Sequence, residues 1–324
     1  MNQENKMLLR WKKIEDGACL LQVLGDTAVI KIPDEVEGNP ITEIGAYCFS
    51  VREQKLNGAE PIFETFCGEE ATLCPLEGNE VEEILLPKGL KRIGNAAFYN
   101  CRKLRKITVG GQVRNIGSDV FVNCSQLKQI CFRAALKEVN GMQQFLNRIS
   151  SEIELFFLTE ENQIEAALLY TEYYEMLDEI APAHIFGRNI VGEGFRARQQ
   201  FKDEIVQLED YDSVFDRLSF EEDVKSAGKM ALNRLRYPID LTEQKKQQYI
   251  AFIVGQNDSI VSNLILEKKK EELEYLCSKK YITESVLEQG MKQAVQMEWS
   301  EGAACFLEWK KKYYGACRKS RYDF

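Results

Sequence analysis

The chain holds one histidine, His184, and ten cysteines among 324 residues. That inventory limits the available chemistry. A Cys–His nucleophile would have to use His184, and no Gly-x-Ser-x-Gly elbow offers a serine route. Zinc needs three or four ligands in tetrahedral array, yet there is no Cys-x-x-Cys pair. Cys67 and Cys74 have six residues between them and no nearby partners, so they read as ordinary thiols. Gly192-Glu193-Gly194 is a fragment of a phosphate loop without a preceding strand, a third glycine or a Lys-Ser/Thr pair, and it reads as a turn. The carboxylate pairs Glu82-Glu83, Glu160-Glu161 and Glu221-Glu222 read as solvated faces. Lys268-Lys269-Lys270 is followed by Glu271-Glu272, which cancels part of its field. Lys310-Lys311-Lys312-Tyr313-Tyr314, with Arg318, Lys319 and Arg321, reads as a helix C-terminus where the dipole favours cations, with an anionic partner as the other reading. No catalytic residue, cofactor or metal is expected.

The elements that would position any site come next. Net charge is -9, which argues against a polyanion-binding surface and so against nucleic acid. Aromatic residues make up 10%, enough for packed cores rather than an acidic disordered chain. The length suggests two domains, or three. Met1 to Lys6 is polar and is not followed by the apolar run of a leader, and no stretch approaches the ~20 apolar residues of a membrane span. The thiols are then expected to be free, in a reducing, cytoplasmic compartment; a leader ahead of this sequence would put the protein at the cell surface instead.

Internal repetition dominates the first half. Leu90, Ile93, Gly94, Ala97, Phe98, Cys101, Leu104 and Ile107 recur, 23 residues on, as Val113, Ile116, Gly117, Val120, Phe121, Cys124, Leu127 and Ile130. An earlier partial copy keeps Ile41, Ile44, Gly45, Cys48 and Phe49. A later one keeps Leu136 and Val139, with Asn140 where glycine stood, read as a left-handed turn residue. Strands are expected around Ile30, Ile84, Ile107, Ile130 and Ile153, each with inward residues flanking one outward residue. The segment from Ser50 to Glu80 reads as an insertion.

A coil of this kind cannot cover its own apolar side, so coils must stack. Phenylalanine and cysteine then form internal ladders, with glycine expected to supply a sharp turn. The outward ladder is Val29/Lys31, Glu83/Leu85, Lys106/Thr108, Gln129/Cys131 and Glu152/Glu154. We take Lys31, Glu83, Leu85, Lys106, Thr108, Gln129 and Cys131 as the candidate partner-binding face.

Leu86-Pro87, Ile93-Gly94, Ala97-Phe98, Cys101, Leu104 and Ile107 follow a Leu-Pro strand exit and then Ile-Gly-x-x-Ala-Phe-x-x-Cys-x-x-Leu-x-x-Ile. This register resembles the BspA-like, or Treponema pallidum type, leucine-rich repeats. Ile32-Pro33, Ile44-Gly45 and Cys48-Phe49 match less fully, since cysteine replaces alanine. The resemblance covers about the first half. It implies a right-handed solenoid of horseshoe form whose concave sheet binds partners, and a surface address for many members.

From about Thr159 the pattern reads as helical: 162–180, 221–236, 242–254 with Thr242 as cap, 258–268 with Asp258 as cap, 271–280, 284–297 with Thr283 as cap, and 301–313 with Ser300 as cap. Ile282 and Leu287 are spaced for a hydrophobic staple. The stretch 183–220 is read only as a connection. Asp258 to Ile265 is weakly similar to an ankyrin-type helix, without the Thr-Pro-Leu-His entry. The expected fold is therefore an α/β leucine-rich-repeat solenoid followed by an all-α helical-repeat domain. Its segments are 1–158 with the insertion at about 50–80, a connector over 159–240, and helix pairs over 241–324. The expected function is a monomeric, non-catalytic scaffold for a protein partner, with no membrane or nucleic-acid role. The alternatives are an enzyme or ligand-binding module in 159–324, and a cell-surface adhesin.

Overall fold

A computed structural model describes residues 6–51, 61–67, 73–180, 185–221 and 224–314. The chain divides into two compact units, 1–211 and 212–324, where the sequence reads as three segments.

The first unit opens with a hairpin of β1 (Met7–Ile14) and β2 (Gly17–Gly25). The first coil supplies β3 (Val29–Lys31), β4 (Glu35–Val36) and β5 (Asn39–Ile44). The insertion contributes β6 (Phe63–Cys67), antiparallel on β1, and β7 (Cys74–Pro75), antiparallel on β2. Two regular coils follow: β8 (Glu83–Leu85) with β9 (Arg92–Ile93), then β10 (Lys106–Val109) with β11 (Asn115–Ile116). The next coil pairs β12 (Gln129–Phe132) with the short helix α1 (Met142–Leu146) in place of a second strand. β13 (Ile153–Leu158) and β14 (Ile164–Tyr170) end the stack.

The coils build two sheets. The front sheet has the order β14-β13-β12-β10-β8-β3, and the back sheet runs β11-β9-β5-β2-β1-β6. Ile84, Ile107 and Ile130 stand opposite one another on the front sheet, and Ile44, Ile93 and Ile116 do so on the back. Between them runs a phenylalanine stack, Phe49–Phe98–Phe121–Phe145, with ring centroids 5.1, 5.9 and 6.1 Å apart.

The recurring glycine has a different cause from the turn expected of it. A Cβ on Gly94 would come 2.5 Å from the Ala46 nitrogen, and one on Gly117 equally near that of Asn95. Backbone of successive coils passes too close for any side chain. The Gly94 N–H donates to the Ile44 carbonyl at 2.7 Å and that of Gly117 to Ile93 at 2.8 Å, which sets that approach. The left-handed residues lie two places further on, at Tyr47, Ala96 and Asp119. Likewise Gly141, with φ of 76°, takes the left-handed turn assigned to Asn140.

The helix expected over 162–180 is instead β14 and β15 (Tyr174–Ile180), the latter in a separate hairpin with β16 (Ile185–Val191). Buried from Ala166 to Tyr170, β14 shows an unbroken apolar run rather than alternation. The short helix α2 (Gly194–Ala197) follows, and the division between the units falls within α3 (Leu208–Glu221).

In the second unit the helices are α4 (Val224–Arg236), α5 (Glu243–Gly255), α6 (Asn257–Leu266), α7 (Lys270–Ser278), α8 (Glu284–Gln296) and α9 (Ser300–Trp309). Pairs α4/α5, α6/α7 and α8/α9 pack side by side, and α4, α6 and α8 stack along the unit. Thr242 and Thr283 cap α5 and α8 as expected, accepting from the Lys245 and Val286 N–H groups. Asp258 and Ser300 do not cap, because each already lies in the first turn of its helix. Ile282 and Leu287, the staple positions, are both buried.

Candidate functional site

The outer face of the front sheet brings the seven candidate residues into two rows. Glu83, Lys106 and Gln129 stand opposite one another, with Val29 ahead of them; Lys31, Leu85, Thr108 and Cys131 form the second row. Neighbouring strands put successive members about 4.8 Å apart. Lys31 is exposed, Glu83, Leu85, Lys106, Thr108 and Gln129 are half-buried, and Cys131 is buried.

The fifth strand departs from the expected register. Gln129 stands opposite Glu154 and Cys131 opposite Phe156, so the outward pair is Glu154/Phe156 and not Glu152/Glu154. The coil before β13 is two residues longer than its predecessors because α1 replaces the short back strand. At this end the outer face closes: Glu154, Ala167 and Leu169 are all buried. The open part of the face runs from β3 to β12.

Both sheets are sealed at this end by side chains that satisfy edge backbone. The Tyr211 hydroxyl accepts from the Leu169 N–H at 2.9 Å and donates to the Leu169 carbonyl at 2.7 Å. Arg148 donates to the Gly117 and Ile116 carbonyls at the edge of β11. Arg198, fully buried, donates to the carbonyls of Ile149, Ser151, Thr171 and Gly194, and desolvation lowers its pKa to about 10. Unpaired edges invite strand addition, so these caps limit where another chain can dock.

The other candidate chemistries resolve one by one. Cys67 lies opposite Met7 on β1, Cys74 opposite Gly25 on β2, and Met7 opposite Gly25. Three strand spacings, about 14 Å, therefore separate the two thiols, too far for a shared metal or a disulfide. Among the described residues no cluster of His, Cys, Asp and Glu could hold a metal ion. A strand, β16, does precede Gly192-Glu193-Gly194, contrary to the sequence reading. The glycines are nonetheless packed tightly: a Cβ on Gly194 would meet the Thr171 carbonyl oxygen at 2.0 Å. Lys310 pairs with Glu284 and Glu288, Lys312 with Glu274, and Lys270 with Glu301, so these cations already have acidic partners. Glu82 and Glu83 pair with Arg105. His184, Glu222, Arg318, Lys319 and Arg321 lie outside the described residues.

The repeat cysteines do more than fill space. The Cys101 thiol donates to the Phe49 carbonyl at 3.2 Å, and Cys124 to that of Phe98 at 3.0 Å, one coil on. Burial pushes the Cys19 and Cys124 thiols up to about 12 and raises those of Cys48 and Cys101 as well. A raised folded-state pKa adds stability below the unfolded value, and that stability is lost as pH rises through it. The thiol contribution to stability is therefore expected to be flat below pH 8. Above the ordinary thiol value of 9.0 it should fall by about 1.4 kcal/mol per buried thiol at pH 10. Iodoacetamide mapped by peptide mass spectrometry should label exposed Cys74 and half-buried Cys67 in the native protein. Labelling of Cys101 or Cys124 at the same rate would overturn the assignment.

Fold and surface together define a leucine-rich-repeat solenoid followed by a helical domain. Residues 76–168 match the family model of the BspA type leucine rich repeat region, in 6 copies. No curated protein sequence gives a match. Among solved structures, the chain is similar to the crystal structure of a leucine rich repeat protein from T. pallidum. The two are 17% identical over 39% of this chain and 71% of that one, with a TM-score of 0.22. A region of this family suggests a protein-binding or adhesin-like role, and its relatives are generally non-enzymatic. Among the described residues, no helix is long and apolar enough to cross a membrane.

Proposed function

We propose that the protein is a non-catalytic scaffold holding a protein partner on the outer face of the front sheet, between β3 and β12. The observation that carries this reading is the two in-register rows, which leave Lys31, Leu85, Lys106 and Thr108 wholly or partly open to solvent. Stacked-repeat surfaces of this kind bind extended partners. The mixture of charge with Leu85 suits a protein better than a polyanion, as does the net charge of -9. The capped edges of β14 and β11 close one end of each sheet to edge-to-edge assembly. The nine described cysteines are all unpaired, which favours a reducing compartment.

A photo-crosslinking amino acid at Thr108, with one at Lys103 as control, tests the reading in cells. The expected result is a discrete protein adduct at Thr108 that Leu85→Asp abolishes. Adducts formed equally at Lys103, which lies on an exposed turn away from the two rows, would remove the front sheet as the binding face.

A further inference from the structure

A depression of about 490 Å³ opens beside the front face, where β10 and β12 begin. Its walls include Arg105, Lys106 and Lys128, with Glu83, Gln126 and Gln129. The lining holds three cations and one carboxylate, and a second carboxylate, Glu82, pairs with Arg105 from outside it, which leaves a cationic excess in a chain of net charge -9.

The repeat explains how the imbalance arises. Glu82, Arg105 and Lys128 occupy the same position in successive coils, since the Arg105 N–H donates to the Glu82 carbonyl and the Lys128 N–H to that of Arg105. Arg105 turns toward the earlier coil, 2.9 Å from Glu82 and 3.5 Å from Glu83. Lys128 has no such neighbour. On its far side β13 continues the ladder with apolar Ile153, because Gln129 faces Glu154. Lys106 and Lys128 form no ion pair among the described residues. Arg105 and Lys128 stand side by side just ahead of β10 and β12, a like-charge neighbour for Lys128 that an anionic occupant would offset.

We propose that this depression docks an extended acidic peptide of a partner protein, with a carboxylate held between the Lys106 and Lys128 ammonium groups. The proposal rests on the front face as the binding surface and names the chemistry that this surface takes. Each ammonium offers three donors, and the Gln126 and Gln129 amides add neutral ones for the second carboxylate oxygen. A peptide fits better than a nucleic acid for two reasons. Leu85, half-buried in the next row, gives apolar contact to alternate side chains. The overall negative charge repels a polyanion beyond the reach of three local cations.

Fluorescence anisotropy of the full chain with fluorescein-labelled octaglutamate is the direct test. Lys106→Gln with Lys128→Gln is expected to weaken binding about tenfold or more, while Lys103→Gln leaves it unchanged. Raising salt from about 50 to about 300 mM should weaken binding to the native chain, because exposed charges are screened. Lys128 is exposed and Lys106 half-buried, and an unchanged circular dichroism spectrum confirms that the double variant folds. Absence of octaglutamate binding overturns the proposal, as does binding that the double substitution leaves intact. Tighter binding of a single-stranded oligonucleotide to the same lysines also overturns it. If the Thr108 adduct survives the double substitution, the acidic-peptide proposal fails while the scaffold reading stands.

Discussion

Replacing Arg234 with methionine is expected to destabilise the helical unit by about 3–5 kcal/mol, among the largest effects of any single substitution in the protein. Arg234 and Asp212 form a bidentate pair at 2.7 and 2.9 Å, with side chains only 1% and 2% exposed. The Tyr249 hydroxyl donates to the same carboxylate at 2.7 Å, and Arg234 also donates to the Ile239 carbonyl at 2.9 Å. Asp212, Tyr249 and Ile239 all lie inside the unit, where water cannot replace them. Removing the guanidinium leaves a buried carboxylate and a buried carbonyl with unmet hydrogen bonds, which is costlier than losing the pair itself. Arg234→Lys should recover little, because one ammonium cannot reproduce the planar fork. The triple variant Asp212→Leu, Arg234→Met, Tyr249→Phe removes the three polar side chains together, leaves the Ile239 carbonyl without this donor, and should recover most of the loss. Urea unfolding with hydrogen exchange mapped by mass spectrometry separates these cases, since peptides from 243–309 report on this unit. A methionine variant as protected as the native chain would mean that the pair does not carry the unit.

Much of the first unit was legible in the sequence because stacking imposes one spacing on many positions at once. Ile84, Ile107 and Ile130 had to lie abreast, and so did Phe98 and Phe121. The seven candidate residues on the outer face follow from that register alone. What failed were the places where the solenoid stops being periodic. Phe145 joins the phenylalanine stack from a helix, one residue beyond the 23-residue position, so counting passed over it. The same helix delays β13 and moves the outward pair to Glu154 and Phe156. β14 has both faces buried, and an apolar run such as Ala166 to Tyr170 carries no period by which to tell strand from helix. The opening hairpin carries only a local signal, Asp16-Gly17 between two apolar segments, outside the 23-residue register. The cation cluster of the proposed docking site has no spacing signal of its own. It depends on which coil Arg105 turns toward, and only the side-chain geometry shows that.

The second large effect belongs to the middle of the phenylalanine stack. Phe98 is fully buried between Phe49 and Phe121. Phe98→Ala should cost about 3–5 kcal/mol through lost transfer energy and the cavity left behind. Loss of two ring contacts adds about 0.5–1.5 kcal/mol each. Phe49 touches one ring of this stack, so Phe49→Ala should be the milder change if stacking matters beyond burial. Collapse cannot readily heal the gap, because the coils are held apart by backbone bonds such as those from Gly94 to Ile44 and from Gly117 to Ile93. In a quasi-one-dimensional stack, energy is shared between nearest neighbours. The loss should therefore spread to both adjoining coils and fade toward the ends. Hydrogen exchange should show faster opening on β5 and β11 as well as on β9, with β1 little changed. Exchange that rises only within the coil of Phe98 would mean that each coil is stable by itself, and the shared core would no longer explain why the repeats stack.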